Sequence, residues 1–215
     1  MSGPDRGVEL AALAQPIRAD FDAAHAAREK GLPACRQAIR ASSQAVRAVH
    51  RRDPDAAAAR AAEAAASLRE AQAALAPHPE VAFAGFLHDA EKEYAEAVLL
   101  AALVDGSPLP GPADVGVQAA AWLRGLAEAA SELRRHLLDR LRGGEMATAE
   151  TLLDAMEAVY DLLVTIDYPD ALTGGLRRTT DSLRAVLERT RADLTLTVVQ
   201  TNLQASIERL RPSGS

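Results

Sequence analysis

Apolar residues recur at intervals of three and four along almost the whole chain, and no segment of strand length alternates apolar with polar residues. Glycine and proline fall between the periodic segments, so the pattern predicts an all-α protein of about seven helices. The first runs from about Asp5 to Lys30 and stops at Gly31-Leu32-Pro33; the second covers about Pro33 to Arg52. Asp53 and Pro54 then supply an N-cap and a helix-opening proline for a third, alanine-rich helix to about Leu75. The fourth extends from about Glu80 to Val104 and precedes the proline-rich loop Asp105 to Pro112. The fifth runs from about Ala113 to Arg142, the sixth from about Thr148 to Ile166, and a long final helix reaches about Arg211. Residues 1–4 and 212–215 read as frayed ends of a single domain spanning 1–215.

Composition refines this picture. Aromatic residues make up 3% of the 215 and alanine dominates the apolar fraction, so the core is expected to form where helices approach closely on small side chains. The lone cysteine, Cys35, has no internal disulfide partner, and no signal peptide follows Met1-Ser2-Gly3-Pro4, which points to a reducing cytoplasm. The most apolar run, Ala95 to Val104, contains Glu96 and ends at Asp105, so no membrane span is expected. Net charge is −6, yet seven basic residues stand against one acid between Arg28 and Arg52.

Carboxylates supply the candidate chemistry. On a helical wheel Glu93 falls within the stripe of Phe86, Ala90, Ala97, Leu100 and Val104, away from a solvent face. Asp89 and Glu96 lie one turn to either side, so three acids border one apolar surface and call for a cation, a proton or a basic partner. On the fifth helix the apolar stripe is Trp122, Leu123, Leu126, Ala130, Leu133, Leu137 and Leu141, and Glu128 with Glu132 lies on the opposite side. That side reads either as a solvated face with Arg124 supporting Glu128 at i, i+4, or as the second half of an acidic site. An E-x-x-E pair with a second acidic pair on the next helix can converge carboxylates on a hard cation such as Mg²⁺ or Mn²⁺. Glu-x-x-His pairs of the di-iron type, an HExxH helix, a nucleotide-binding glycine loop and a nucleophile elbow do not occur, and no organic cofactor is expected.

The second helix carries Arg36, Arg40, Arg47 and Arg51 within roughly 60° of one another, with Ser43 among them. Such a row suits successive phosphates of a nucleic-acid backbone, or else forms a solvated face or pairs with acids of a neighbour.

Two segments carry a family resemblance: Gly85-Phe86-Leu87-His88-Asp89-Ala90-Glu91-Lys92-Glu93-Tyr94-Ala95-Glu96-Ala97 and Gly125-Leu126-Ala127-Glu128-Ala129-Ala130-Ser131-Glu132-Leu133-Arg134-Arg135. They resemble the translin family, in particular its translin-associated factor X branch. Arg28-Glu29, Gly143-Gly144-Glu145, Val159-Tyr160-Asp161 and the Asp167-Tyr168-Pro169 turn extend the likeness over most of the chain. The resemblance implies a seven-helix fold assembling into a closed, barrel-like octamer that binds single-stranded RNA and DNA on its inner surface. It further implies four acidic residues holding Mg²⁺ for endonucleolytic RNA cleavage, which match Glu93, Glu96, Glu128 and Glu132. Glu128 stands where the family pattern has aspartate, one methylene shorter. The short, alanine- and arginine-rich chain is more similar to prokaryotic members, which implies a homo-oligomer.

The leading expectation is a metal-dependent endoribonuclease on single-stranded RNA, with the arginine row guiding the backbone. An oligomeric nucleic-acid scaffold without catalysis is the alternative. A third reading, an all-α nucleotide pyrophosphohydrolase, would want Glu-x-x-Asp as its second pair, which Glu128 and Glu132 do not match.

Overall fold

The computed structural model describes residues 5–210, which form helices and connections with no strand among them. The longest helix, α1 (Arg6–His50), begins at Asp5, whose carboxylate accepts from the Gly7 N–H, and at 1.5 Å per residue extends about 68 Å. Its first half is almost wholly exposed; its second half buries Ala34, Cys35, Ala38, Ala41, Ala45 and Ala48. Arg52, in the left-handed conformation at φ 59°, turns the chain into α2 (Pro54–Leu75). There the Asp53 carboxylate caps the Ala56 N–H at 3.0 Å and Pro54 opens the first turn. α1 and α2 form an antiparallel pair.

One expectation fails here. No break occurs at Gly31-Leu32-Pro33, and the predicted first and second helices are one. Gly31 lies against Leu75, where a Cβ would come within 2.7 Å of the leucine Cγ, so the glycine is a contact point for α2 rather than a stop. Pro33 is exposed, and its ring faces solvent while Ala34 and Cys35 beside it are buried. Burial of the flanking turns outweighs the hydrogen bond that proline removes.

A single turn, α3 (Pro79–Ala82), is separated from α4 (Phe86–Asp105) by Gly85 at φ 97°, so the predicted fourth helix begins later than its pattern suggests. After Gly106 the chain passes through the short α5 (Pro112–Val115) into α6 (Ala119–Arg142). Then follow α7 (Met146–Val164), the single turn α8 (Asp170–Thr173) and α9 (Leu176–Leu210). The described residues thus hold six long helices and three single turns.

α6 is the centre of the packing, touching α4 on one side and α7 and α9 on the other. The larger core joins Leu99, Leu126, Leu133, Leu137, Met156 and Leu183; a smaller one joins Cys35, Leu68, Leu75 and Leu87. Burial of the Cys35 thiol pushes its pKa up to about 11, so it behaves as a small apolar group. No helix among the described residues is long and apolar enough to cross a membrane.

Candidate metal centre and nucleic-acid face

Gly125 sets the geometry of the site. A Cβ there would stand 2.8 Å from each of Ala95 Cβ, the Glu96 backbone nitrogen and the Lys92 carbonyl oxygen, so only glycine lets α6 approach α4 this closely. Ala121 and Ala129, one turn to either side on the same face, are fully buried, and together the three small residues make a second buried surface on α6. The face that a wheel of large apolar residues assigns to solvent is therefore the one that meets α4.

α4 and α6 run in the same direction. Arg124 pairs with His88, and Lys92 with Glu128, both across 36 positions. Further on, the ends of both helices, Ala101 and Val104 on α4 and His136 and Arg140 on α6, line one cavity of about 520 Å³ with α1 and α2.

Within this parallel groove one oxygen from each of Glu93, Glu96 and Glu128 lies within 4.8 Å of the others. Three of the four expected carboxylates thus converge. Lys92, largely buried beneath them, donates from Nζ to Glu93 Oε1 at 2.9 Å and to Glu128 Oε2 at 2.5 Å. The two acids hold the ammonium charged and raise its pKa although burial opposes this. Glu96 receives no such partner. Burial, then the charges of Glu93 and Glu128, push its carboxyl up to about 8, so it carries a proton at neutral pH.

Glu132 stands at the margin. It is close enough to Glu96 to help raise that pKa, but it is not part of the three-oxygen set. Its Oε2 instead accepts from Nε2 of His50, the last residue of α1, at 2.8 Å. His50 Nδ1 lies 3.1 Å from His136 Nε2, and the two rings are inclined by only 23°. Burial and the neighbouring His50 push His136 down to about 4, so it is neutral. Asp89 is exposed on the flank of α4 and does not join the cluster. Arg124 does not support Glu128; its Nη1 donates to His88 Nε2 at 3.2 Å.

Arg36, Arg40, Arg47 and Arg51 are all exposed, and the only side-chain bond they make among the described residues is from Arg40 to Gln37. The row ends where Arg47 and Arg51 flank His50, so the basic face of α1 adjoins the acidic groove through the His50–Glu132 bond. Lys92, His50 and His136 escape a sequence reading because none belongs to a catalytic spacing. The available signals are slight: His136 lies one turn beyond Glu132, and His50 borders the arginine row.

The donor set is carboxylate oxygen from two rigid helices, suited to a hard divalent cation. The fold as a whole recurs in proteins of known structure. AfC3PO, in a complex with duplex RNA, is 30% identical to this chain, covering 87% of this chain and 97% of its own with a TM-score of 0.81. A second structure, the crystal structure of AfC3PO, superposes with a TM-score of 0.80. The chain belongs to the translin/C3PO family. NeC3PO, 17% identical over 86% of this chain and 96% of its own, shares the fold at a TM-score of 0.76. An uncharacterised protein of Methanocaldococcus jannaschii is 28% identical over 138 residues, 64% of this chain, which spans 61% of that relative's length. No protein-family model matches the chain.

Proposed function

We propose that this protein is a divalent-metal-dependent endoribonuclease acting on single-stranded RNA, able to bind single-stranded RNA or DNA and working as a homo-oligomer, in the family's manner an octamer. The observation that carries the reading is the convergence of Glu93, Glu96 and Glu128 from two parallel helices beside an exposed row of arginines. These three carboxylates would hold Mg²⁺ or Mn²⁺, with Glu132 at the edge. A bound ion of this kind supplies Lewis acidity and an activated water at neutral pH. Glu96 would release its proton on binding, which makes uptake stronger as pH rises toward 8. Lys92, which donates to Glu93 and Glu128, would supply a positive charge beside these carboxylates for a phosphate that gains charge during cleavage. Arg36, Arg40, Arg47 and Arg51 hold the flanking backbone by contacts indifferent to sequence. AfC3PO's complex with duplex RNA supports nucleic acid as the ligand class.

Self-assembly is supported by two exposed apolar stripes. Leu10, Leu13, Ile17 and Phe21 project from the first half of α1, and Leu196, Val199, Leu203 and Ile207 from the second half of α9, each more than half exposed. Stripes of this extent on a single copy mark surfaces that become covered.

One observation favours a second reading. Lys92 already bonds both Glu93 and Glu128 and offsets one of their two charges, while Glu96 carries a proton, so most of the cluster's charge is balanced without a metal, as a binding scaffold would have it. Labelled single-stranded and duplex RNA incubated with Mg²⁺, Mn²⁺ or EDTA, beside Glu93→Ala, separates the two. Metal-dependent cleavage lost in the variant is expected; cleavage that persists in EDTA removes the assigned site, and binding without cleavage selects the scaffold. Sedimentation that returned a monomer would refute the assembly.

A further inference from the structure

We infer that His50, itself fixed by His136, is a positioning residue that holds the fourth carboxylate, Glu132, in place for the three that converge. This rests on the metal-centre reading above. Glu128, Glu132 and His136 follow one another at single-turn intervals on α6, and His50 enters from the end of α1 between the last two. Both imidazoles are buried, the His50 side chain 5% exposed and His136 4%, whereas the Glu132 side chain is 41% exposed and has no other partner among the described residues. An exposed glutamate ordinarily samples several rotamers; this one is tied by one oxygen to a ring that cannot move.

The direction of the bond follows from the groups present. A carboxylate only accepts, so His50 Nε2 carries a proton and donates. The remaining nitrogen, Nδ1, then either accepts from His136 Nε2–H or, in a doubly protonated ring, donates to it; both arrangements leave the Nε2–H on Glu132. The hold on Glu132 therefore does not depend on the charge of His50. One oxygen of Glu132 is engaged by His50, and the other remains for the groove where Glu96 feels its charge. Histidines oriented in this way around a ligating carboxylate set how well the ligand is presented. Because His50 also terminates the arginine-bearing helix, the basic face and the acidic groove are anchored to one another at this ring.

Mn²⁺ binding to the full-length protein, measured by calorimetry, tests the inference in His50→Ala, His50→Gln, Glu132→Gln and the double variant His50→Ala/Glu132→Gln. His50→Ala is expected to weaken binding by roughly 10- to 100-fold. His50→Gln, whose amide N–H replaces Nε2–H, is expected to recover most of it, and His50→Ala is expected to add nothing in the Glu132→Gln background. Unchanged or tighter binding in His50→Ala, or an additive effect in the double variant, overturns the inference. If the wild type binds neither Mn²⁺ nor Mg²⁺, the metal reading falls by itself. The positioning role is then read in the metal-free protein from imidazole ¹⁵N resonances: a protonated His50 Nε2 that responds to Glu132→Gln upholds it, and an unprotonated Nε2 overturns it.

Discussion

Replacing Gly125 by alanine should destabilise this protein, the reverse of what the substitution does in an ordinary helix. In a helix interior with free space, Gly→Ala is favourable by about 1 kcal/mol. Here the new methyl would lie 2.8 Å from a side-chain carbon and from two backbone atoms of α4, the Glu96 nitrogen and the Lys92 oxygen. Carbon contacts settle at about 3.5–4.0 Å, so the two helices must separate by roughly 0.7 Å or more. Backbone atoms inside a helix have no rotamer by which to yield. Overpacking costs about 1–3 kcal/mol, and because two of the three obstructing atoms are backbone the upper part of that range, about 2–3 kcal/mol, applies; after the propensity gain a net loss of about 1–2 kcal/mol remains. For a chain of this size that lowers Tm by about 2–8 °C, measurable by thermal unfolding at 222 nm in EDTA. Because Glu128 lies one turn from Gly125, the same displacement carries it away from Glu93 and Glu96, and Mn²⁺ affinity should fall with Tm. A Gly125→Ala protein as stable as the wild type, or more so, would refute the claim that close approach of α4 and α6 builds the site.

Three further outcomes are expected. Glu96, with its pKa raised to about 8 from an unfolded value near 4.5, binds a proton in the folded state that the unfolded chain lacks; in EDTA, stability should therefore decline from pH 6.5 to 8, and this slope should vanish in Glu96→Gln. The window excludes His136, whose depressed pKa of about 4 makes stability fall only as the solution is acidified below about 6.5. Lys92→Met leaves Glu93 and Glu128 without their shared ammonium and should cost about 1–3 kcal/mol in EDTA, with Mn²⁺ restoring more stability than it adds to the wild type; equal Tm shifts in the two proteins would contradict this. Leu133→Ala, at a fully buried position of α6, should lose about 2–5 kcal/mol by urea unfolding, and a loss under 1 kcal/mol would mean that α6 is not central to the core.

The sequence pattern was sufficient for fold class, and with the family resemblance it named three carboxylates that lie together in the structure, but it misled where small residues do the packing. Glycine and alanine weigh little on a wheel, so Ala121, Gly125 and Ala129 looked like spacers and the surface they build on α6 went unseen. The same inattention to context made Gly31 and Pro33 look like a helix end, although packing against Leu75 of α2, more than forty residues on in the chain, is what continues the helix. Glu93 stood out because a charge on an apolar stripe violates a local rule. Lys92, its neighbour, violates none, since its burial depends on a second helix that no local pattern announces. His50 and His136 are hidden for the same reason: their partners are distant in the chain, and nothing in either segment alone marks a ring as buried.

The parallel course of α4 and α6 obliges residues 106–118 to run back the length of α4 before α6 begins. That distance is about 30 Å, which about nine extended residues can cover, so the return has slack. Evolution can lengthen this strap freely, or shorten it slightly, and leave the carboxylates where they are. A single residue inserted between His88 and Glu96 would instead turn half of the site by about 100° and dismantle it. Divergent relatives should accordingly keep two rigid signatures, E-x-x-E and a glycine followed at three and seven residues by acids, while the number of residues between them drifts.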